Sequence, residues 1–528
     1  MKQLKSVPKK GTGIILLFLS LSACFSAKGS DTYKEVKPTL HYTVSMPDPS
    51  SHFFHIELFC NGWIKDTIDF KMPRWMPGYY QIMEYAREVR NYSAREVNGK
   101  VISVTNTNQN TWRIVLNNSI PFRISYDVKA DRKFVANSYL DTTHGYIVPS
   151  ATFMYINGFI KTPVNLTIKA SEKWNKIATG LEPVPGKSNE FYAPDFDILY
   201  DCPVLIGDLE KLPSFEVNGI QHRFICYNPG NFDREAFISN LKKVIREGVG
   251  IIGDIPYTQY TFIGIGQGYG GIEHLNNTTV SFNGTGLDRP EAMNRIMKFL
   301  AHEYFHHYNV KRIRPYELGP FDYDRENRTN LLWVSEGLSV YYEYLIVKRA
   351  GMMSEREFFG SFESNINAFE NDPGRHYQSL SQASFNTWSD GPFGNKKEGD
   401  DRSISYYDKG PLMGLILDLA IRNATKNKKS LDDVMRLMYW QYYKKMQRGF
   451  TDAEFQQACE DIAGISLSRE FEYVYTTGEL DYSAYLTYAG LKITEDKDVN
   501  TGKRRFTINR QENMSNAQAT MLQAWAER

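Results

Sequence analysis

His302-Glu303-Tyr304-Phe305-His306 is the stretch on which the reading of this chain turns. Around it Met293, Ile296, Met297, Leu300 and Tyr304 recur at the helical period. Asp288-Arg289-Pro290-Glu291 before them resembles a capping box with Pro in the first turn, and Pro315 stops the element. Residues four apart share one helix face, so both imidazoles can converge on a single ion. Glu303, one position round, is then placed to polarise a water held there. The chain has only 10 His, which makes a chance H-E-x-x-H improbable. The competing reading is an amphipathic helix that turns His and Glu to solvent.

A catalytic zinc needs a third protein ligand and an open fourth position. Downstream lies Asn330-Leu331-Leu332-Trp333-Val334-Ser335-Glu336-Gly337-Leu338-Ser339, and the run 341–347 continues as an apolar helix with Gly351 as a stop. A carboxylate near the start of such a helix is expensive to bury without a partner, and one Zn2+ would supply it. Glu336 is therefore the expected third ligand and Glu343, seven residues on, the fallback. A first-turn Glu favoured by the helix dipole is the alternative.

Working outward, the 528 residues exceed one ordinary domain. The 42% hydrophobic and 23% charged content is that of a soluble globular protein. With 62 basic and 61 acidic residues, nothing in the charge balance argues for nucleic acid. From Thr32 to about Pro213 short alternating runs, such as Phe53-Phe54-His55-Ile56-Glu57-Leu58 and Phe122-Arg123-Ile124-Ser125-Tyr126, predict an antiparallel β domain. The character changes near Asp233: a helix is expected over 234–252, a strand over 260–265, and helices dominate from Asp288. Helix starts are expected at Ser354-Glu355-Arg356-Glu357, Ser430-Leu431-Asp432-Asp433 and Thr451-Asp452-Ala453-Glu454. The polar tract 371–405 reads as one long loop. The expected class is α+β and multidomain.

The zinc motif leads into Asn309-Val310-Lys311-Arg312-Ile313-Arg314-Pro315, and Trp333-Val334-Ser335-Glu336-Gly337 follows after an interval. Together these resemble the glycyl aminopeptidase family, peptidase family M61, a relative of the M1 aminopeptidases. Tyr308 stands where many relatives have Trp. The resemblance implies a thermolysin-like (gluzincin) catalytic domain over 230–482 behind a β domain over 30–215, and peptides as substrates. It also implies a preference for small first residues such as Gly or Ala, a point on which the sequence itself is silent. Family members usually carry a PDZ-like domain next, of which 485–528 would be only a part or a diverged relic.

Gly270-Gly271-Ile272-Glu273-His274 forms a second constellation. Glycines at a strand edge let a backbone approach a substrate closely, and Glu273 can pair with a free α-ammonium. In the M1 relatives a Gly-x-Met-Glu-Asn motif does this, so the resemblance gives Glu273 the substrate's N-terminus. An exposed Glu on a turn is the alternative, and His274 has no derivable role. Tyr407-Asp408-Lys409-Gly410 resembles the Tyr-x-Lys-Gly stretch of these enzymes, whose Tyr donates to the tetrahedral oxyanion. A core tyrosine is the competing reading. An endopeptidase, or an anchored peptide-binding protein without activity, remains open at this level.

At the N-terminus Lys2, Lys5, Lys9 and Lys10 precede an apolar run over 14–21, too short to span a bilayer, followed by small residues. This predicts an export leader over 1–24. Leu21-Ser22-Ala23-Cys24 resembles a bacterial lipobox, which makes a lipid on Cys24 the one expected membrane contact; ordinary cleavage nearby would instead release a soluble protein. Cys60, Cys202, Cys226 and Cys459 form no disulfide framework, though a single Cys202–Cys226 bridge stays open beside buried free thiols.

Overall fold

The computed structural model describes residues 38–528, apart from 64, 117–119, 175, 396–400, 499–500 and 528. The expected leader and Cys24 lie outside the described residues. No helix among the described residues is long and apolar enough to cross a membrane.

Strict alternation builds the N-terminal part. Along Phe53–Asn61 every second side chain (Phe54, Ile56, Leu58, Cys60) is buried, as a sheet with one core face requires. This strand lies between Thr39–Ser45 and Phe122–Lys129 in an eight-stranded sheet. The sheet is antiparallel except where Thr39–Ser45 pairs in parallel with Val164–Lys169. Two four-stranded sheets complete this part, and its core also takes in Ile263 and Ile272 from the next sheet. The β half and the catalytic half therefore share apolar contacts instead of meeting across a linker.

The second part opens with a six-stranded sheet. Ile220–Cys226, Gln259–Gly264 and Asn277–Val280 run parallel, the first two joined by the helix Arg234–Ile252, while Gly271–Glu273 is antiparallel and lies at the sheet's edge. Helices follow: Pro290–Phe305, Leu338–Arg349, Glu355–Glu370 and Tyr406–Ala424. The starts at Ser354, Ser430 and Thr451 are true capping boxes. Asp288 is not part of one. The first of these helices begins at Pro290 with Arg289 before it and no side-chain cap. Nor is 371–405 a single loop, because short helices form at Pro373–His376, Leu380–Phe385 and Thr387–Asp390. Here Asp372 and Ser379 supply caps that a reading for Gly, Asp and Ser takes as loop composition. Cys60, Cys202, Cys226 and Cys459 are buried free thiols, which removes the Cys202–Cys226 bridge.

The C-terminal residues form a hairpin, Leu491–Lys497 with Arg504–Arg510, and the helix Asn516–Ala526. The hairpin's outer edge is completed by a helix. The backbone N–H groups of Arg504, Phe506 and Ile508 donate to Asn371 Oδ1, Asn367 Oδ1 and Glu363 Oε1 at 2.8, 2.8 and 2.5 Å. Two strand residues advance about 6.7 Å and four helix residues about 6 Å, so the two periods nearly match. Trp525 is wholly buried against Phe358 and Phe362, and its indole N–H donates to Tyr341 Oη at 2.9 Å. The segment thus packs on the catalytic helices. Trp525→Ala should cost about 3–5 kcal/mol of stability by chemical denaturation. A loss below ~1 kcal/mol would mean that the terminal helix is dispensable to the fold.

Candidate metal centre and active site

Helical spacing delivers the two imidazoles as expected. Pro290–Phe305 carries His302 and Glu303, and His306 closes its last turn. His302 Nε2 and His306 Nε2 lie 2.9 Å apart. Glu336 Oε2 comes within 3.8 Å of the first and 3.3 Å of the second. These three donors, all within 4.8 Å of one another, are the group of His, Cys, Asp or Glu among the described residues able to hold a metal.

The tautomer follows from the outer contacts. His306 Nδ1–H donates to Asn309 O at 2.8 Å, which leaves Nε2 with a lone pair facing inward. His302 Nδ1 faces Glu343 Oε2 at 3.2 Å. Glu343, the fallback ligand, therefore lies on the Nδ1 side of His302, away from the Nε2 atoms that face Glu336. Two imidazole Nε2 atoms and a carboxylate oxygen thus face one another at such distances, the donor set that zinc takes in proteins. Burial would raise Glu336, but the two imidazoles hold it well below the usual carboxylate range. Burial likewise opposes charging of His302, and contacts with Glu336 and Glu343 outweigh it and raise its pKa.

The motif after the zinc helix now has a physical account. Asn309 Nδ2 donates to Val334 O at 2.8 Å and Ser335 O at 3.2 Å, latching the metal helix to the turn that carries Glu336. That turn, Trp333–Gly337, is a wide π-helical one, a form frequent at functional sites. Arg312 donates to His307 O, Leu275 O and Pro256 O, tying the helix end to the loop just past Glu273. Lys311 pairs with buried Asp201 at 2.5 Å, and Asp201 also holds His274 Nδ1 at 3.3 Å. His274 is thus a structural strut between the β part and the catalytic part.

Glu303 is buried, and its Oε2 has no partner among the described residues. Burial pushes its pKa up to about 7; the nearby imidazoles oppose this, and Glu273 and Glu336 add to it. Gly271 makes room for it, since a Cβ there would fall 2.3 Å from Glu303 Oε1. One close approach at Gly271 is thus by Glu303, a contact that the sequence reading left out. Gly270 adopts φ +84°, a conformation that suits glycine.

Glu273 is 3% exposed, and its Oε1 has no partner among the described residues. A Cβ at Gly78, from the β part, would fall 2.8 Å from Glu273 Oε2. Sequence reasoning missed this contribution of the β part altogether. Gly78 and Tyr80 line a cavity of about 590 Å³ together with His302, Glu303, Gly271 and Tyr407. A Pro-Gly-Tyr-Tyr run at 77–80, buried aromatics beside a flexible residue, was the available signal.

Tyr407 Oη donates to Glu336 Oε2 at 2.8 Å. Burial first, then Glu336, raises its pKa well above that of a free phenol, so it remains a neutral donor. Its neighbour Tyr406 also lines the cavity, whereas Lys409 points away, over the Phe369 ring. Backbone contact sets the Tyr407–Glu336 distance, because a Cβ on either Gly337 or Gly410 would meet the other's Cα at 2.6 Å. Of the eight residues expected at the site, Gly270, Gly271, His302, Glu303 and Tyr407 line this cavity, His306 and Glu336 complete the group with His302, and Glu273 lines a neighbouring cavity.

Comparisons with known proteins give the family and the fold. The Peptidase M61 N-terminal domain pattern matches residues 41–208, and the M61 glycyl aminopeptidase pattern matches residues 295–413. The chain belongs to the M61 glycyl aminopeptidase family. It is accordingly a metallo-aminopeptidase hydrolase. An aminopeptidase N family protein from Idiomarina loihiensis is similar at 25% identity and TM-score 0.82, over 88% of this chain and 81% of that one. A mutant M1 zinc metallopeptidase from Deinococcus radiodurans, bound to a Tyr-Ser-Ala substrate, shares the fold at 13% identity and TM-score 0.52. That match covers 84% of this chain and 94% of the other. No curated protein matched the chain.

The M61 chain's two touching glycines generate a direct test. Gly410→Ala should destabilise the fold by about 1–3 kcal/mol and lower activity by moving Tyr407 from Glu336. An unchanged denaturation midpoint would mean that the two backbones have slack.

Proposed function

We propose that this M61 protein is a zinc aminopeptidase that removes small N-terminal residues, Gly or Ala, from peptides. Zinc would be held by His302, His306 and Glu336. When bound there, the ion lowers the pKa of an adjacent water and polarises the substrate carbonyl. Glu303 takes the proton from that water as it attacks, and later delivers it to the leaving amine; a carboxylate pushed up to about 7 is suited to both tasks. Tyr407, kept neutral, turns its hydroxyl from Glu336 to the developing oxyanion.

One observation carries the exopeptidase reading. Glu273 is a buried carboxylate, among the described residues it has no ion pair, and a substrate's α-ammonium would neutralise it. Gly271–Glu273 is an edge strand, so an extended peptide can add to it with its amine at Glu273 and its first carbonyl beside Glu303. Glu273 then measures off one residue. The preference for small first residues rests on the family's description alone. Export, with Cys24 lipidated, is part of the same proposal and rests on the leader sequence.

Hydrolysis of alanyl and glycyl peptides beside their N-acetylated twins, with and without a chelator, tests the proposal. Cleavage confined to the free amines and abolished by the chelator is expected; equal cleavage of both would make the protein an endopeptidase. Glu303→Gln should keep its zinc and lose about 10²–10⁴-fold in kcat. Full activity in that variant would remove Glu303 as the base. Glu273→Gln should lower kcat/KM for free-amine peptides by about 30-fold or more, mainly through KM. Equal losses on the acetylated peptides would mean that Glu273 has no part in reading the amine.

A further inference from the structure

A second cavity, of about 490 Å³, opens beside the metal cavity. The segment 266–271 divides the two: Gly266, Gln267 and Gly268 line the second, while Tyr269, Gly270 and Gly271 line the first. Phe134 lies on both walls. The ends of this segment are pinned, Ser281 N–H donating to Gly270 O at 3.0 Å and Phe282 N–H to Gly266 O at 2.8 Å. Between them Tyr269 stands 85% exposed at the rim.

Direction follows from the proposed function, on which this inference rests. A peptide whose amine is at Glu273 and whose first carbonyl is at Glu303 runs antiparallel to Gly271–Glu273. Its later residues therefore pass Gly271, Gly270 and Tyr269 in turn and reach the second cavity. At roughly 3.3 Å per extended residue, the fourth or fifth residue arrives there.

The lining suits a main chain and a terminal carboxylate. Ser281 Oγ is buried and has no hydrogen-bond partner among the described residues, although it lies on the cavity wall. The titratable groups facing the cavity, tyrosines aside, are Lys133, Asp141 and His144. Asp141 is already engaged, accepting from Tyr139 Oη at 2.6 Å, Thr143 N at 2.7 Å, Thr143 Oγ1 at 2.5 Å and His144 N at 3.1 Å. His144 is stacked on Tyr227 at 3.9 Å, and burial lowers its pKa to about 4, so it is uncharged at neutral pH. Lys133 has no ion pair among the described residues; its ammonium sits 4.7 Å from the Tyr139 ring centroid. We infer that this cavity is a downstream subsite for short peptides, in which Lys133 receives the C-terminal carboxylate.

The test compares tri-, tetra- and pentaalanine with their C-terminal amides, and with alanyl p-nitroanilide, which is too short to reach the cavity. One free acid in the series should exceed its amide by about three- to fivefold in kcat/KM, chiefly through KM, and the gain should shrink at high salt. In Lys133→Ala the acid-to-amide ratio should fall to about one. Binding of the same pairs to the Glu303→Gln protein, by calorimetry, gives the same ratio without turnover. Free acids and amides that bind and react alike at every length would overturn the subsite, and so would a ratio that survives in Lys133→Ala. Anilide hydrolysis reads the metal centre separately. Its absence in the native protein would count against the proposed function, and the binding ratio would still decide the subsite.

Discussion

Three carboxylates, Glu273, Glu303 and Glu336, are buried close to the two imidazoles, and the rest of the centre is organised by that cost. Burying even one unpaired carboxylate is expensive, and three together repel. The structure gives each a different environment. Glu336 faces two imidazoles and a tyrosine hydroxyl, so its charge is held. Glu303 has burial and like charges against it and sits near neutrality. Glu273 is enclosed with an oxygen unsatisfied. One residue type thus takes three different environments: charge held at Glu336, a raised pKa at Glu303 and an unsatisfied oxygen at Glu273. A metal cation at the first and an α-ammonium at the third would each relieve a penalty that folding leaves in place.

Holding those environments apart requires rigid geometry, and backbone contacts supply much of it. Gly271 yields to Glu303, Gly78 to Glu273, and Gly337 and Gly410 to each other. In each case the missing Cβ sets a distance that side-chain packing could not fix as tightly. Asn309 and Arg312 add the remaining restraint by donating to carbonyls on two neighbouring segments. The N-terminal sheets enter here too, since Gly78 and Tyr80 close the cavity and Lys311–Asp201 ties the halves together. The β part is therefore a wall of the site as well as a neighbouring layer.

Much of this was legible in the sequence because it is local. His302 and His306 follow from helical period, the capping boxes at Ser354, Ser430 and Thr451 from three-residue patterns, and the β strands from alternation. What was illegible is long-range or depends on orientation. Glu343 shares a helix with the Glu336 turn, so spacing made it a candidate ligand, while its position on the Nδ1 side of His302 is set by how two helices pack. The contact between Gly78 and Glu273 joins residues nearly two hundred positions apart, and the Pro-Gly-Tyr-Tyr run at 77–80 does not say what it meets. Helices at Pro373–His376 and Leu380–Phe385 were hidden because their caps use the same Asp and Ser that fill loops.

The C-terminal hairpin makes the same point about partners. An edge strand is a hazard unless something covers it. Here the cover is a row of side chains, Glu363, Asn367 and Asn371, projecting at helical spacing from Glu355–Glu370. Read along the sequence, that row is only the polar face of an amphipathic helix. Its meaning appears when the strand arrives with a repeat of nearly the same length. The neighbouring helix Leu338–Arg349, which begins just after Glu336, is held by the same segment through Trp525 and Tyr341. The C-terminal segment is thereby packed on the helix that follows Glu336, so a segment with no chemistry of its own helps to hold that helix in place.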